Sequence, residues 1–226
     1  MSDLDTRNDA ATVKEIAFLT QKYSLLLIIP GGCFLIAMGR EFLNVWVSDQ
    51  FTDPSVIDQM AVILTILTVG HCLRLAQHSN FLVLVGRGQH KMFGILTAFM
   101  ALFCVLASIV SVKIFNLGLL GIAWSIFLPM VLTSVLILPI YFNRKMHIST
   151  LDNIQNVWQP AVLGSLPAVA MICIWKYLAP PNSWLEIVSV VVAAIVLTIT
   201  GGWFLSLKEV EKKRFIRIAL PKRENG

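Results

Sequence analysis

Charge is what this sequence has least of. Only 14% of its 226 residues are Asp, Glu, Lys or Arg, against about a quarter in a soluble globular domain. Carboxylates are sparse and scattered. Inside the apolar stretches none is paired with another, and Asp58 sits close to one end of its run. That argues against paired-carboxylate chemistry. HExxH and a nucleophile–base constellation are also lacking, and Gly86-Arg87-Gly88 has neither the third glycine nor the strand–turn–helix setting of a dinucleotide fingerprint. The expectation is a protein that is not an enzyme and uses no cofactor or metal. The four cysteines, Cys33, Cys72, Cys104 and Cys173, form no CxxC or Cys/His ligand spacing and read as small buried hydrophobes. Short segments alternating apolar and polar are missing too, which excludes an outer-membrane barrel.

What the sequence has in abundance is apolar length. Hydrophobic residues make up 57% of it, and they run in stretches long enough to cross a bilayer. The expected fold is an all-α membrane protein, a bundle of six transmembrane helices. The spans fall at about 23–39, 56–85, 92–112, 117–142, 160–178 and 185–207. This divides the chain into an N-terminal segment (1–22), a six-helix lobe (23–207) and a basic tail (208–226). The start is polar and slightly acidic, with no A-x-A site, unlike a secretory signal; it reads as the polar tail of a helix or a linker from something upstream.

Fourteen of the eighteen Lys and Arg residues lie on the side that holds both termini, three on the other, and Arg74 is within a span. The excess of positive charge predicts both termini in the cytoplasm and a multi-pass protein of the inner (cytoplasmic) membrane. It also assigns the net charge of +5 to topology, with the lipid bilayer as partner and no nucleic acid. The tail reads either as a stop signal or as an interfacial helix with Phe215, Ile216 and Leu220 toward lipid.

Two features inside the spans point beyond packing. Pro30-Gly31-Gly32, Pro129 and Pro167 interrupt their helices; each is either a packing kink or a hinge. The second span carries His71, Arg74, Gln77, His78 and Asn80, of which 71, 74 and 78 share a face at helical spacing. Arg74 lies about 18 Å along the helix from Gly86, deep in a hydrocarbon core about 30 Å thick. An unpartnered Arg there costs about 2.5–3.5 kcal/mol on insertion scales. Its face is therefore expected to look into a bundle or a wet cavity. Arg74, His71 and His78 are the substrate-pathway candidates, the alternative being helix-to-helix hydrogen bonding.

Several stretches resemble the later helices of polysaccharide flippases, the Wzx-type branch of the MATE-like multidrug/oligosaccharidyl-lipid/polysaccharide exporters. They are Gly86-Arg87 after a helix, the entry Phe115-Asn116-Leu117-Gly118-Leu119-Leu120-Gly121-Ile122-Ala123, and the proline-kinked first span followed by Glu41-Phe42-Leu43-Asn44-Val45-Trp46-Val47. The likeness extends over nearly the whole chain but covers only the second half of such a transporter. It implies one lobe of a two-lobed exporter with an N-terminal lobe as partner, in the same or a separate chain. It also implies flipping of a polyprenyl-linked oligosaccharide for surface polysaccharide such as O-antigen, with Arg74 facing the pyrophosphate. A cation-coupled multidrug exporter half and a non-transporting subunit or truncated remnant are the rival readings; the first usually needs a luminal carboxylate.

Overall fold

The computed structural model describes residues 10–47, 50, 51, 53–146, 148–207, 209, 211 and 212. They are helical almost throughout, with no strand among them, and six helical segments are long and apolar enough to span a membrane. The chain is thus an all-α, multi-pass membrane protein. The first span is α1, Ala10–Val47. The second comprises α2, Pro54–Ala76, and α3, His78–Gly86. The third is α4, His90–Lys113. The fourth joins α5, Gly118–Val131, through a π-helical turn at Leu132–Ile137 to α6, Leu138–Met146. The fifth joins α7, Thr150–Asn153, through a second π-turn at Ile154–Trp158 to α8, Gln159–Leu178. The sixth is α9, Trp184–Gly201, ending in a third π-turn at Gly202–Ser206.

Each span was placed by hydropathy, yet several run further than hydropathy alone indicates. The helix of the first span begins at Ala10, and nothing in the backbone marks residue 22 as a boundary. Its polar start is held because Lys14 pairs with Asp152 and Lys22 with Glu211. The second span departs from a single continuous helix, since it breaks at Gln77. The basic tail from 213 lies outside the described residues, so neither of its two readings is addressed.

α1 is the central element. One side of it packs on α2, which in turn carries α5 and then α4; the other side packs on α8, backed by α9. Three apolar layers stack along its length. One is built on Val13, Ala17, Val83, Leu84 and Phe142, the next on Leu25, Leu26, Ala76, Val157 and Ala161, and the third on Phe34, Met38, Ile172 and Val190. α4 sits at the end of the row. None of its most apolar stretch is buried in the chain, as suits a helix at the edge of a membrane bundle.

Small residues set the close approaches. A side chain on Gly201 would collide with the backbone carbonyl of Gly164, so α8 and α9 meet backbone to backbone. Pro167, a hinge candidate, packs beside the same contact. Gly32 forms a notch filled by Cys72, where an added Cβ would lie 2.6 Å from the cysteine sulfur. Gly32 therefore serves the α1–α2 contact, whereas a Cβ on Gly31 would meet nothing. Pro30 is buried within an unbroken α1. The cysteines depart from expectation: Cys173 is exposed and the other three are only partly buried. In a bundle this thin, a helix shields a side chain only where a neighbour crosses it, and the remaining surface is left for lipid.

At the end of α1 opposite Ala10, Arg40 pairs with Asp58, and Lys176 reaches both Glu41 and the carbonyl of Ala37. Phe42 packs its ring against Trp46 and edge-on to Trp184, the grouping expected of an interface belt.

Candidate polar site at the break in the second span

The break at Gln77 occurs without proline or glycine. Gln77 adopts φ −99° and ψ 0°, and its N–H bonds back three residues to the carbonyl of Arg74, 3.1 Å away. Two elements stabilise this tightened turn. The side-chain amide of Gln21, wholly buried on α1, donates to the carbonyl of Ala76 at 3.1 Å. Asn153 at the end of α7 donates to the oxygen of the same Gln21 at 3.2 Å. Asn80 completes the group by donating to Gln77 Oε1 at 2.7 Å. Burying carboxamides in this way is tolerable because their hydrogen bonds are largely met by one another and by backbone.

The break also sorts the polar residues of the span. Gln77 and Asn80 turn inward and are buried. His71, Arg74 and His78 share a face, as their spacing requires, and all three are exposed on the surface of this chain. The structure brings two of the three together. Arg74 and His78 border a cavity of about 350 Å³, and His71 is not among its lining residues. The rest of the wall is mainly apolar, from Phe93, Leu96, Met100 and Ala101 of α4 and from Ile126 and Met130 of α5. No carboxylate among the described residues lines it. The His78 ring stacks on Phe81, which meets Phe93 edge-on.

A second cavity, of about 240 Å³, lies on the other side of Gln77 and Ser134, which line both. Ser134 belongs to the π-turn that follows Pro129. There the Thr133 hydroxyl donates to the carbonyls of Pro129 and Met130 at 2.7 and 3.1 Å. The proline thus marks a loosened helix beside the site, and π-turns are frequent at functional sites. Among the described residues, no three His, Cys, Asp or Glu side chains gather in a way that could hold a metal ion.

Gln21 and Asn153 are the members of this group that sequence reasoning missed. Gln21 sits in a polar stretch that reads as a tail, and Asn153 in a polar connection, so neither stands out against its neighbours. Gln77 and Asn80 were visible as polar residues in an apolar run, but their inward orientation was not. No protein-family model, curated protein or solved structure matches this chain.

Proposed function

We propose that this chain is one lobe of an inner-membrane flippase that carries a polyprenyl-linked oligosaccharide to the outer leaflet for surface polysaccharide synthesis. The observation that carries the reading is the setting of Arg74. It stands beside a break in a membrane-spanning helix, with His78, on the wall of a mainly apolar cavity that no carboxylate among the described residues lines. A guanidinium matches phosphate oxygens with two parallel hydrogen bonds. The apolar wall of α4 and α5 suits a lipid chain, so the pair fits an anionic headgroup that carries one. Binding at a discontinuous helix is the recurrent design of secondary transporters.

Movement would come from rocking this lobe against a second one, on the same or a separate chain, with the loosened turn after Pro129 absorbing part of the bend. Both termini would face the cytoplasm, following the positive charge. A drug exporter for cations fits this cavity less well, because its charged side chains are basic.

Arg74→Ala in the cell is expected to abolish surface glycan with unchanged protein in the membrane. Arg74→Lys should restore it only in part, since an ammonium cannot make the paired contact. Normal glycan in cells carrying Arg74→Ala would sink the proposal.

A further inference from the structure

The cations at one end of the bundle fall into two groups. Beside the first half of α1 each lysine has a carboxylate, Lys14 with Asp152 at 3.5 Å and Lys22 with Glu211 at 2.6 Å. Val13 and Ala17 of α1 share an apolar layer with Val83, Leu84, Phe93, Phe142 and Ile148. The end of α3, the start of α4 and the end of α6 therefore stand at this same end.

That flank carries the second group. Lys91 lies in the first turn of α4, and Arg144 and Lys145 in the last turn of α6. All three are exposed, and none pairs with a carboxylate among the described residues. The sequence supplies the reason: no Asp or Glu occurs between Asp58 and Asp152, and those two are taken by Arg40 and Lys14. The Lys145 ammonium lies over the Tyr141 ring instead, 5.9 Å from its centroid. Tyr141 in turn donates from its hydroxyl to Gln89 Oε1 at 2.7 Å. This bond ties α6 to the residue before α4 and holds the two sources of charge on one flank.

Positive charge at a span end follows from topology. Topology does not require that one flank of the rim be supplied with carboxylates and the other left without them. A second observation says what the bare flank suits. On α4, Lys91, Ile95 and Leu102 share a face, and the two apolar residues are 63% and 59% exposed. On α6, Ile140 is 49% exposed and lies one turn before Arg144. Each of these cations thus has open apolar surface directly inward along its own helix. A nucleic acid or an acidic peptide would use the charge and leave that surface uncovered.

We infer that the rim formed by Lys91, Arg144 and Lys145 is a binding surface for an anionic phospholipid. The phosphate would lie among the three cations, and the acyl chains along the exposed faces of α4 and α6. Juxtamembrane basic residues draw anionic lipid by about fivefold per residue. This surface lies outside the Arg74 cavity and does not depend on the function proposed above.

The test places a photoreactive benzoylphenylalanine at Ile95 of the full chain, in vesicles of phosphatidylcholine with a minority of phosphatidylglycerol. Mass spectrometry then reads which lipid is captured. Phosphatidylglycerol is expected to exceed its bulk share by about fivefold or more. The same probe at Leu185, 79% exposed and next to Trp184 at the opposite end of the bundle, should capture lipid in bulk proportion. Neutralising the patch with Lys91→Gln, Arg144→Gln and Lys145→Gln together should bring capture at position 95 down to bulk proportion. The charge-preserving pair Lys91→Arg and Arg144→Lys should keep the enrichment.

Capture in bulk proportion by the otherwise unchanged chain would overturn the inference. So would enrichment that survives the triple neutralisation, or that the charge-preserving pair abolishes. Neutralising Arg217, Lys222 and Arg223 should leave capture at position 95 unchanged; loss there would assign the attraction to the basic tail and overturn the surface. Inorganic phosphate in large excess, at fixed ionic strength, should not displace the lipid. Displacement would mean that the rim takes free phosphate, and the lipid assignment would fall.

Discussion

The side-chain amide of Gln21 donates a hydrogen bond to the backbone carbonyl of Ala76, fifty-five residues further along the chain and 3.1 Å away. Ala76 is the last residue of α2 and only 2% exposed, so this bond caps a buried helix end within the second span. It ties the first span to the break in the second. Gln21→Leu would leave the Ala76 carbonyl and the Asn153 amide without their partner. A loss of about 1–2 kcal/mol is expected, read as a lower unfolding midpoint in detergent. Hydrogen exchange should rise at residues 77–81 ahead of global unfolding. An unchanged midpoint with unchanged exchange would mean the bond contributes nothing.

Lys22 is 2% exposed, and its ammonium lies 2.6 Å from Glu211. It also approaches the carbonyl of Ser206 at 3.5 Å. Removing one partner of a buried pair strands the other charge, at a cost of about 3–5 kcal/mol. Glu211→Gln should therefore destabilise the protein strongly. Lys22→Met combined with Glu211→Gln should recover most of that loss, which the single and double variants would show in one melting series. If the double variant is no better than Glu211→Gln alone, the two side chains do not act as a pair.

Gly201→Ala introduces a methyl group where α9 meets the Gly164 carbonyl of α8. Overpacking of this kind costs about 1–3 kcal/mol, and here the obstacle is backbone that cannot rotate away. Cysteine crosslinking between neighbouring positions of α8 and α9 should slow as the helices separate. Gly31→Ala, at a position with open space, serves as the control and should behave as wild type.

Asp53 caps α2 by accepting from the Ser55 N–H at 2.9 Å. That backbone hydrogen bond, with a smaller contribution from the Ser55 side chain, holds the carboxyl below its ordinary value. The folded value is the lower one. The cap therefore contributes fully above the ordinary carboxylate range and is lost as pH falls through the folded value. Protection of the Ser55 amide, corrected for intrinsic exchange rate, should fall on acidification in the wild type. In Asp53→Asn it should be nearly independent of pH.

Hydropathy made the six spans legible because lipid imposes one crude demand, about twenty apolar residues per crossing, and composition alone answers it. The helix ends were less legible. Polar turns at the ends are held by polar partners rather than by apolar content, Lys14 by Asp152 and Asn143 by Thr150 seven residues on. The inward turn of Gln77 was not readable from local spacing, which places it beside Arg74.

The sequence by itself determined that this is a six-span helical membrane protein, with His71, Arg74 and His78 on a common face of the second span. Only the tertiary structure decided that this face lies on the surface of the chain, with Arg74 and His78 at one cavity, while two carboxamides from the same span line another. The physical reason is that the outcome rests on hydrogen bonds to Gln21 and Asn153. Those partners lie far along the chain, and their proximity arises only once α1 and α7 are packed against the break.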